Sequence, residues 1–245
     1  SLLPEHDAKV GELLQKRGVI SRCGHQRVCD KDLRLLRPGQ WLNDEIINFY
    51  GEMSMRRAEE AKRNKQGNVL DVQYFSSFFW TKLSEQGYHA GGLVSWTQTH
   101  NMFSKDIVLI PVHHSNRHWT AAAINFRKKR IESYDSLNHD RTRVFILLRG
   151  YLNDEHRHQK GRPFDFTGWV DWTPKDTPQQ ENTSDCGVFT CQFLQTLSRG
   201  EEEFAFTQAD MPYLRRRMIW EIGHVRLLTD TENSANTSFP SAPSP

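Results

Sequence analysis

Cysteine is scarce in this sequence, with four residues in 245, at Cys23, Cys29, Cys186 and Cys191. Disulfide-built domains use it far more densely, so a reducing compartment is expected. A dominant charge is missing as well: 32 Lys and Arg stand against 30 Asp and Glu, a formal net charge of +2. So even a balance supplies no field to gather nucleic acid or an anionic membrane, and neither is expected as a partner. No apolar run approaches the ~20 residues that cross a bilayer. No internal repeat marks a solenoid. The first residues, Ser1 to Asp7, hold neither the basic start nor the apolar core of a secretory signal, and there is no initiator Met. The expectation is a fragment whose targeting region lies elsewhere.

What is present is the balance of an ordinary globular protein, 37% hydrophobic and 25% charged. A chain of this length buries roughly 70% of its unfolded surface and needs no disulfide or metal to hold it. Val10, Leu13 and Leu14 recur at helical spacing, with Gly18 as a stop. Asn43 is placed to cap a helix whose first turn carries Asp44 and Glu45 and whose buried face is Ile46, Ile47, Tyr50 and Met53. The segment Arg56 to Asn68 continues that helix before fraying. Ile107 to Val112 is a continuous apolar run, as in a strand covered on both faces. Trp119 to Phe126, Arg130 to Tyr134 and Phe166 to Trp172 are further strands. Phe78, Phe79 and Trp80 are expected in the core. Arg141 to Leu152, Cys186 to Ser198 and Met211 to Leu228 read as helices, the Arg215-Arg216-Arg217 run being a solvated face. The polar stretch from Thr229 to Pro245 is expected to be disordered. Strands in the middle with helices around them give an α+β fold with a mixed sheet, in one domain over 1–228.

A cysteine nucleophile needs a lowered pKa, a base and an oxyanion donor. Cys186 lies in Ser184-Asp185-Cys186-Gly187 at the predicted start of a helix, where free amides and the helix dipole favour a thiolate. Gly187 would let a substrate carbonyl approach the backbone. Cys191, inside the helix among apolar neighbours, reads as an inert core thiol. Of eleven histidines, His118 opens an apolar strand, where it would be held rigidly. Asp135 closes the next strand, and antiparallel pairing would bring the two outer ends together. Gln180 is placed to donate its side-chain amide to an oxyanion, beside the Cys186 amide. Taken singly, each residue has a plainer reading: a core cysteine, a strand-edge histidine, a helix-dipole carboxylate at Asp44, a core aromatic at Trp41. Cys23, His25 and Cys29 lack the four-ligand pattern of a zinc site, and no metal or cofactor is assigned.

The run Trp41-Leu42-Asn43-Asp44-Glu45-Ile46-Ile47-Asn48-Phe49-Tyr50, then His118-Trp119, Tyr134-Asp135-Ser136 and Gln180 through Cys186-Gly187, resembles the ubiquitin-like-protein proteases, which are the SUMO or sentrin proteases. Phe75-Ser76-Ser77-Phe78-Phe79 and Ile107 through His113 add to the likeness, which runs from about Val28 to Leu228. The resemblance implies a papain-like cysteine protease that cleaves after the Gly-Gly terminus of SUMO, in precursor maturation or in release from lysine. His118, Asp135 and Cys186 match the family's triad and Gln180 its oxyanion donor. Trp41 and Trp119 match two tryptophans that flank the substrate tail, and Asp44 a position that pairs with a basic residue of SUMO. It further implies SUMO and SUMO-conjugated proteins as partners and a nuclear location; a monomer is the default expectation for a protease that must dock a folded partner. Glu181 and the polar His113-His114-Ser115-Asn116-Arg117 run depart from the family pattern. A protease for another ubiquitin-like modifier, an acetyltransferase like some bacterial relatives, and a SUMO-binding module without turnover remain as alternatives.

Overall fold

The computed structural model describes residues 1–67, 69–99, 101–229 and 232. The chain opens with α1 (Pro4–Gln15), which buries Val10 and Leu13. A short hairpin follows, β1 (Val19–Cys23) and β2 (Gln26–Cys29), turning at Gly24 with φ +58°. One turn of helix, α2 (Asp30–Leu33), leads to α3 (Asp44–Arg63). Asn43 caps α3 as expected: its Oδ1 accepts the Ile46 amide at 3.2 Å, while its Nδ2 donates to Asp32 at 2.9 Å.

Next come β3 (Val72–Tyr74), α4 (Ser77–Ala90), β4 (Ile107–His114), β5 (His118–Asn125) and β6 (Arg130–Tyr134). They are followed by α5 (Thr142–Lys160), β7 (Val170–Trp172), α6 (Cys186–Leu197) and α7 (Met211–His224). The sheet runs β3-β4-β5-β6-β7. Its outer pairs are parallel and its inner pairs antiparallel, so it is mixed. Ile107 to Val112 of β4 are all buried, which explains the unbroken apolar run there, and every residue of β5 is buried as well. Side-chain alternation sends Ala121 and Ala123 into a core shared with α3, α6 and α7. Ala122 and Ile124 enter a second core with α4 and α5 on the opposite face. Small residues at 121 and 123 leave room for α6 to lie along β5.

Several expectations change. Phe79 and Trp80 are buried, but Phe78 is 56% exposed: one α4 turn places it on the outer face, beside the N-terminus of α3. Only Val170–Trp172 of the predicted fourth strand pairs, because Gly168 takes φ +79° and turns the chain just before it. Phe166 and Trp169 pack instead on the edge of the second core. The last helix stops at His224, where Val225 adopts a left-handed φ of 52° and Arg226 begins a non-helical stretch. Arg215 and Arg217 are 2% and 5% exposed rather than solvated, and Arg216 alone of the three reaches the surface, pairing with Asp7. The predicted disordered tail falls outside the described residues, apart from Thr229 and Glu232. Among the described residues no helix is long and apolar enough to cross a membrane.

The N-termini of α3 and α4 are tied together at a buried point. Asn48 donates to Ser77 Oγ at 3.0 Å and accepts the Ser77 amide at 2.9 Å, while Tyr74 donates its hydroxyl to Asn48 at 3.1 Å. Tyr74 reaches Asn48 by passing over Gly51, where an added Cβ would sit 2.1 Å from the ring. Gly51→Ala is therefore expected to destabilise the protein by about 1–3 kcal/mol through overpacking. The check is the midpoint of urea unfolding, which should fall at unchanged slope.

Candidate active site

Cys186 is the first residue of α6 and is 2% exposed. The turn that delivers it is built on Asn182, whose Oδ1 accepts the amides of Ser184 and Asp185, each at 3.0 Å. Amides at this helix start lack intrahelical partners, and the helix dipole adds positive potential beside the Cys186 side chain. Cys191 lies five residues on, where burial pushes its thiol well up.

His118 is the first residue of β5, and Asp135 follows the last residue of β6. Because Ala121 pairs with Tyr134, the two side chains meet at the same end of the sheet. His118 Nε2 and Asp135 Oδ1 are 2.6 Å apart. Nε2 being taken, Nδ1 is left for Cys186, with whose side chain the ring also shares a hydrogen bond. Burial disfavours the imidazolium, but the bonds to Asp135 and Cys186 and their charges outweigh it, raising His118 to about 9. Asp135 is also buried, which on its own would raise its pKa. Hydrogen bonds from His118 and the Leu137 amide, with the charges of His118 and Arg141, instead hold it well below the usual carboxylate range.

The loop before Cys186 is fastened to the same strand end. The Gln180 amide donates to Ser136 O at 2.9 Å, and Gln179 Nε2 donates to Asp135 O at 3.1 Å. Gln180 Oε1 accepts the Ser136 hydroxyl at 2.6 Å, which orients the side-chain amide. One hydrogen of its NH2 goes to Asn182 O, leaving the second available.

Trp41 and Trp119 differ in setting. Trp119 is buried, donates its indole N–H to Leu42 O at 3.0 Å and stacks on His113 with centroids 3.9 Å apart. Trp41 is 45% exposed, which removes the plain core reading. Asp44 is half-buried and accepts the Ser77 hydroxyl at 2.6 Å. Gly187 also meets a packing demand within the fold: a Cβ there would lie 2.8 Å from Leu42 Cβ. It permits the loop carrying Trp41 to close onto the start of α6. Among the described residues no group of three or more His, Cys, Asp or Glu side chains is placed to hold a metal ion.

Three residues were given no role at the site by the sequence. Arg215, taken there for a solvated face, binds the Asp185 carboxylate at 2.7 Å and four backbone carbonyls: Leu35, Arg37, Gln40 and Ser184. Arg141 donates from Nε to Asp135 Oδ2 at 2.7 Å. His114 stacks 6.2 Å from His118; burial, with Arg141 and His118 nearby, lowers it to about 3 and keeps it neutral. The signal for Arg215 was its helical phase, since 100° per residue cannot send three consecutive arginines to one face.

Comparison with known proteins gives consistent matches. Residues 40–226 match the model of the Ulp1 protease family, C-terminal catalytic domain. A sentrin-specific protease of Caenorhabditis elegans is 41% identical over 202 residues, 82% of this chain and 28% of that protein. Human sentrin-specific protease 2 is 35% identical over 212 residues, 86% of this chain and 34% of the relative. The chain thus spans about a third or less of these relatives. The solved C-terminal Ulp1 protease domain in complex with Smt3, the yeast ortholog of SUMO, superposes with a TM-score of 0.74 at 26% identity, covering 91% of this chain and 96% of that one.

The His118–Asp135 pair has a defined pH signature. His118 is raised above its unfolded value of ~6.5, so its contribution to stability is complete below that value and is lost as pH rises through about 9. Asp135 is lowered, so its contribution is present above ~3.9 and is lost as pH falls through its folded value. Asp135→Asn should therefore destabilise the fold most between these limits. It should also move the His118 titration, followed by imidazole NMR, downward from about 9. An unmoved titration would show that Asp135 does not set the charge of His118.

Proposed function

This chain belongs to the Ulp1 protease family, and we propose that it is a thiol protease hydrolysing the bond that follows the C-terminal Gly-Gly of SUMO. The bond is an isopeptide to lysine in conjugates or a peptide in the precursor. The observation that carries this reading is one buried cluster: His118 held at 2.6 Å by Asp135, hydrogen-bonded to a cysteine at a helix N-terminus, with an exposed tryptophan at the end of the loop packed beside it.

The chemistry follows from the geometry. Cys186 gives its proton to His118 Nδ1, and Asp135 stabilises the resulting imidazolium from Nε2. The thiolate attacks the glycine carbonyl carbon. Negative charge moves to the carbonyl oxygen, which the Cys186 amide and the second amide hydrogen of Gln180 stabilise. As the tetrahedral species collapses, His118 protonates the departing lysine amine and the thioester remains. Neutral His118 then takes a proton from water, hydroxide adds to the thioester, and the thiolate leaves to restore the starting pair.

Trp41 and Trp119 suit a tail of glycines, because only a backbone without side chains passes close to two indole faces. Asp44 keeps one carboxylate oxygen beyond its Ser77 bond and is assigned to a basic residue of SUMO. Residues 1–228 act as one catalytic unit on SUMO-conjugated proteins, as a monomer, in the nucleus.

The test compares hydrolysis and binding. Cys186→Ala should abolish cleavage of SUMO conjugates while retaining affinity for SUMO within about threefold, since the thiol contributes little to a docking surface of standard size. Ubiquitin and other modifiers, assayed in parallel, should be cleaved far more slowly than SUMO. Residual cleavage by Cys186→Ala would remove the nucleophile assignment, and preference for another modifier would move the substrate.

A further inference from the structure

We infer that Arg141 is a positioning residue of the catalytic cluster: its guanidinium fixes the plane of the Asp135 carboxylate so that Oδ1 points at His118. The inference rests on the triad proposed above.

The Asp135 carboxylate is held at both oxygens. Oδ1 meets His118 Nε2 at 2.6 Å and accepts the Leu137 amide at 2.9 Å. Oδ2 accepts Arg141 Nε at 2.7 Å and the His139 amide at a longer 3.3 Å. Among the described residues Arg141 is thus the one side chain on Oδ2, and without it a single long backbone bond remains there. The terminal torsion of aspartate is broad, and without Arg141 only the Leu137 and His139 amides would hold the carboxylate plane toward the imidazole. A catalytic group misplaced by about 1 Å loses on the order of 10²-fold in rate.

Arg141 is itself well placed. It stands at the start of α5, where Asp140 accepts the Thr142 amide at 2.9 Å and the Thr142 hydroxyl at 2.6 Å, and the Val144 amide bonds Arg141 O at 2.8 Å. Its Nη2 lies 3.3 Å from His139 Nδ1, and the His139 ring meets His118 edge-on at 6.0 Å. Its side chain is 14% exposed, so the charge-assisted bond is partly shielded from water.

A purely electrostatic role and a positioning role differ in sign. The groups facing His118 are Asp135 after β6, Cys186 on α6, His114 on β4, and His139 and Arg141 before α5. If Arg141 acted only as a nearby positive charge, removing it would make the imidazolium easier to form, and His118 would titrate higher. If it positions Asp135, removing it loosens the 2.6 Å contact, and His118 titrates lower.

The experiment uses Arg141→Met, which keeps the packing of the aliphatic stem, with Arg141→Ala as a second variant and thermal melts to confirm folding. Cleavage of a SUMO conjugate should lose about 10- to 10²-fold in kcat with KM within twofold, and the His118 titration should fall. In an Asp135→Asn background the same substitution should change kcat less than twofold, because there is no carboxylate left to orient. An unchanged kcat in both variants, an equal loss in the Asp135→Asn background, or a His118 titration that rises would each overturn the inference. If Asp135→Asn itself leaves kcat unchanged, the triad assignment fails and this inference with it. If Asp135→Asn lowers kcat and the Arg141 variants do not, this inference alone fails.

Discussion

The guanidinium of Arg215, almost wholly removed from water, joins two loops that are far apart in sequence. One is the turn Ser184-Asp185 that delivers Cys186 to the start of α6. The other is the stretch Leu35 to Gln40 that leads into Trp41. Buried charge is costly unless paired and fully hydrogen-bonded. Here the Asp185 carboxylate supplies the charge and four carbonyls take the remaining donors. Asp185 is in turn held ionised against its burial by bonds from Asn182, Gln208 and Arg215. Removing one partner of such a pair typically costs about 3–5 kcal/mol, so the placement of both loops depends on it. Gly187 completes the joint, since its missing Cβ lets Leu42 rest against the first turn of α6.

On this frame the sheet supplies the chemistry. The pairing of β5 with β6 fixes where His118 and Asp135 end and brings the two side chains to the same end of the sheet, where imidazole and carboxylate lie 2.6 Å apart. A one-residue slip would turn one of them to the opposite face. Burial by itself would neutralise both groups. Placed together with the Cys186 side chain they do the reverse, and the pair holds opposite charges over the neutral pH range. His114, equally close to the cluster, shows the other outcome: with no carboxylate on its ring, burial wins and it stays neutral.

Much of this was legible in the sequence where local patterns carry it. The Asn43 cap, the apolar runs of β4 and β5, and the helix beginning at Cys186 each follow from residues close in sequence. His118, Asp135, Gln180 and Cys186 do converge at one end of the sheet, as their order suggested. Long-range pairing was not legible. Arg215 reads as surface charge until its carboxylate and carbonyls arrive from parts of the chain 30 to 180 residues away. Phe78 looks like core in a string of aromatics, because sequence alone does not give the phase of α4. The edge strand β3 is three residues long, too short for any periodicity to mark, and β7 keeps only Val170–Trp172 of the longer strand expected from Phe166. The packing role of Gly187 was not legible because its neighbour, Leu42, is distant in sequence.

The central claim is that one of four cysteines is activated by His118 and reads a SUMO tail. It is tested most directly with SUMO carrying a thiol-reactive electrophile at its C-terminus, with peptide mapping of the adduct. The account predicts rapid labelling at Cys186 alone, slowed strongly by His118→Ala, with ubiquitin probes reacting far more slowly. Labelling at Cys23, Cys29 or Cys191, or labelling of Cys186 that is indifferent to His118, would contradict it.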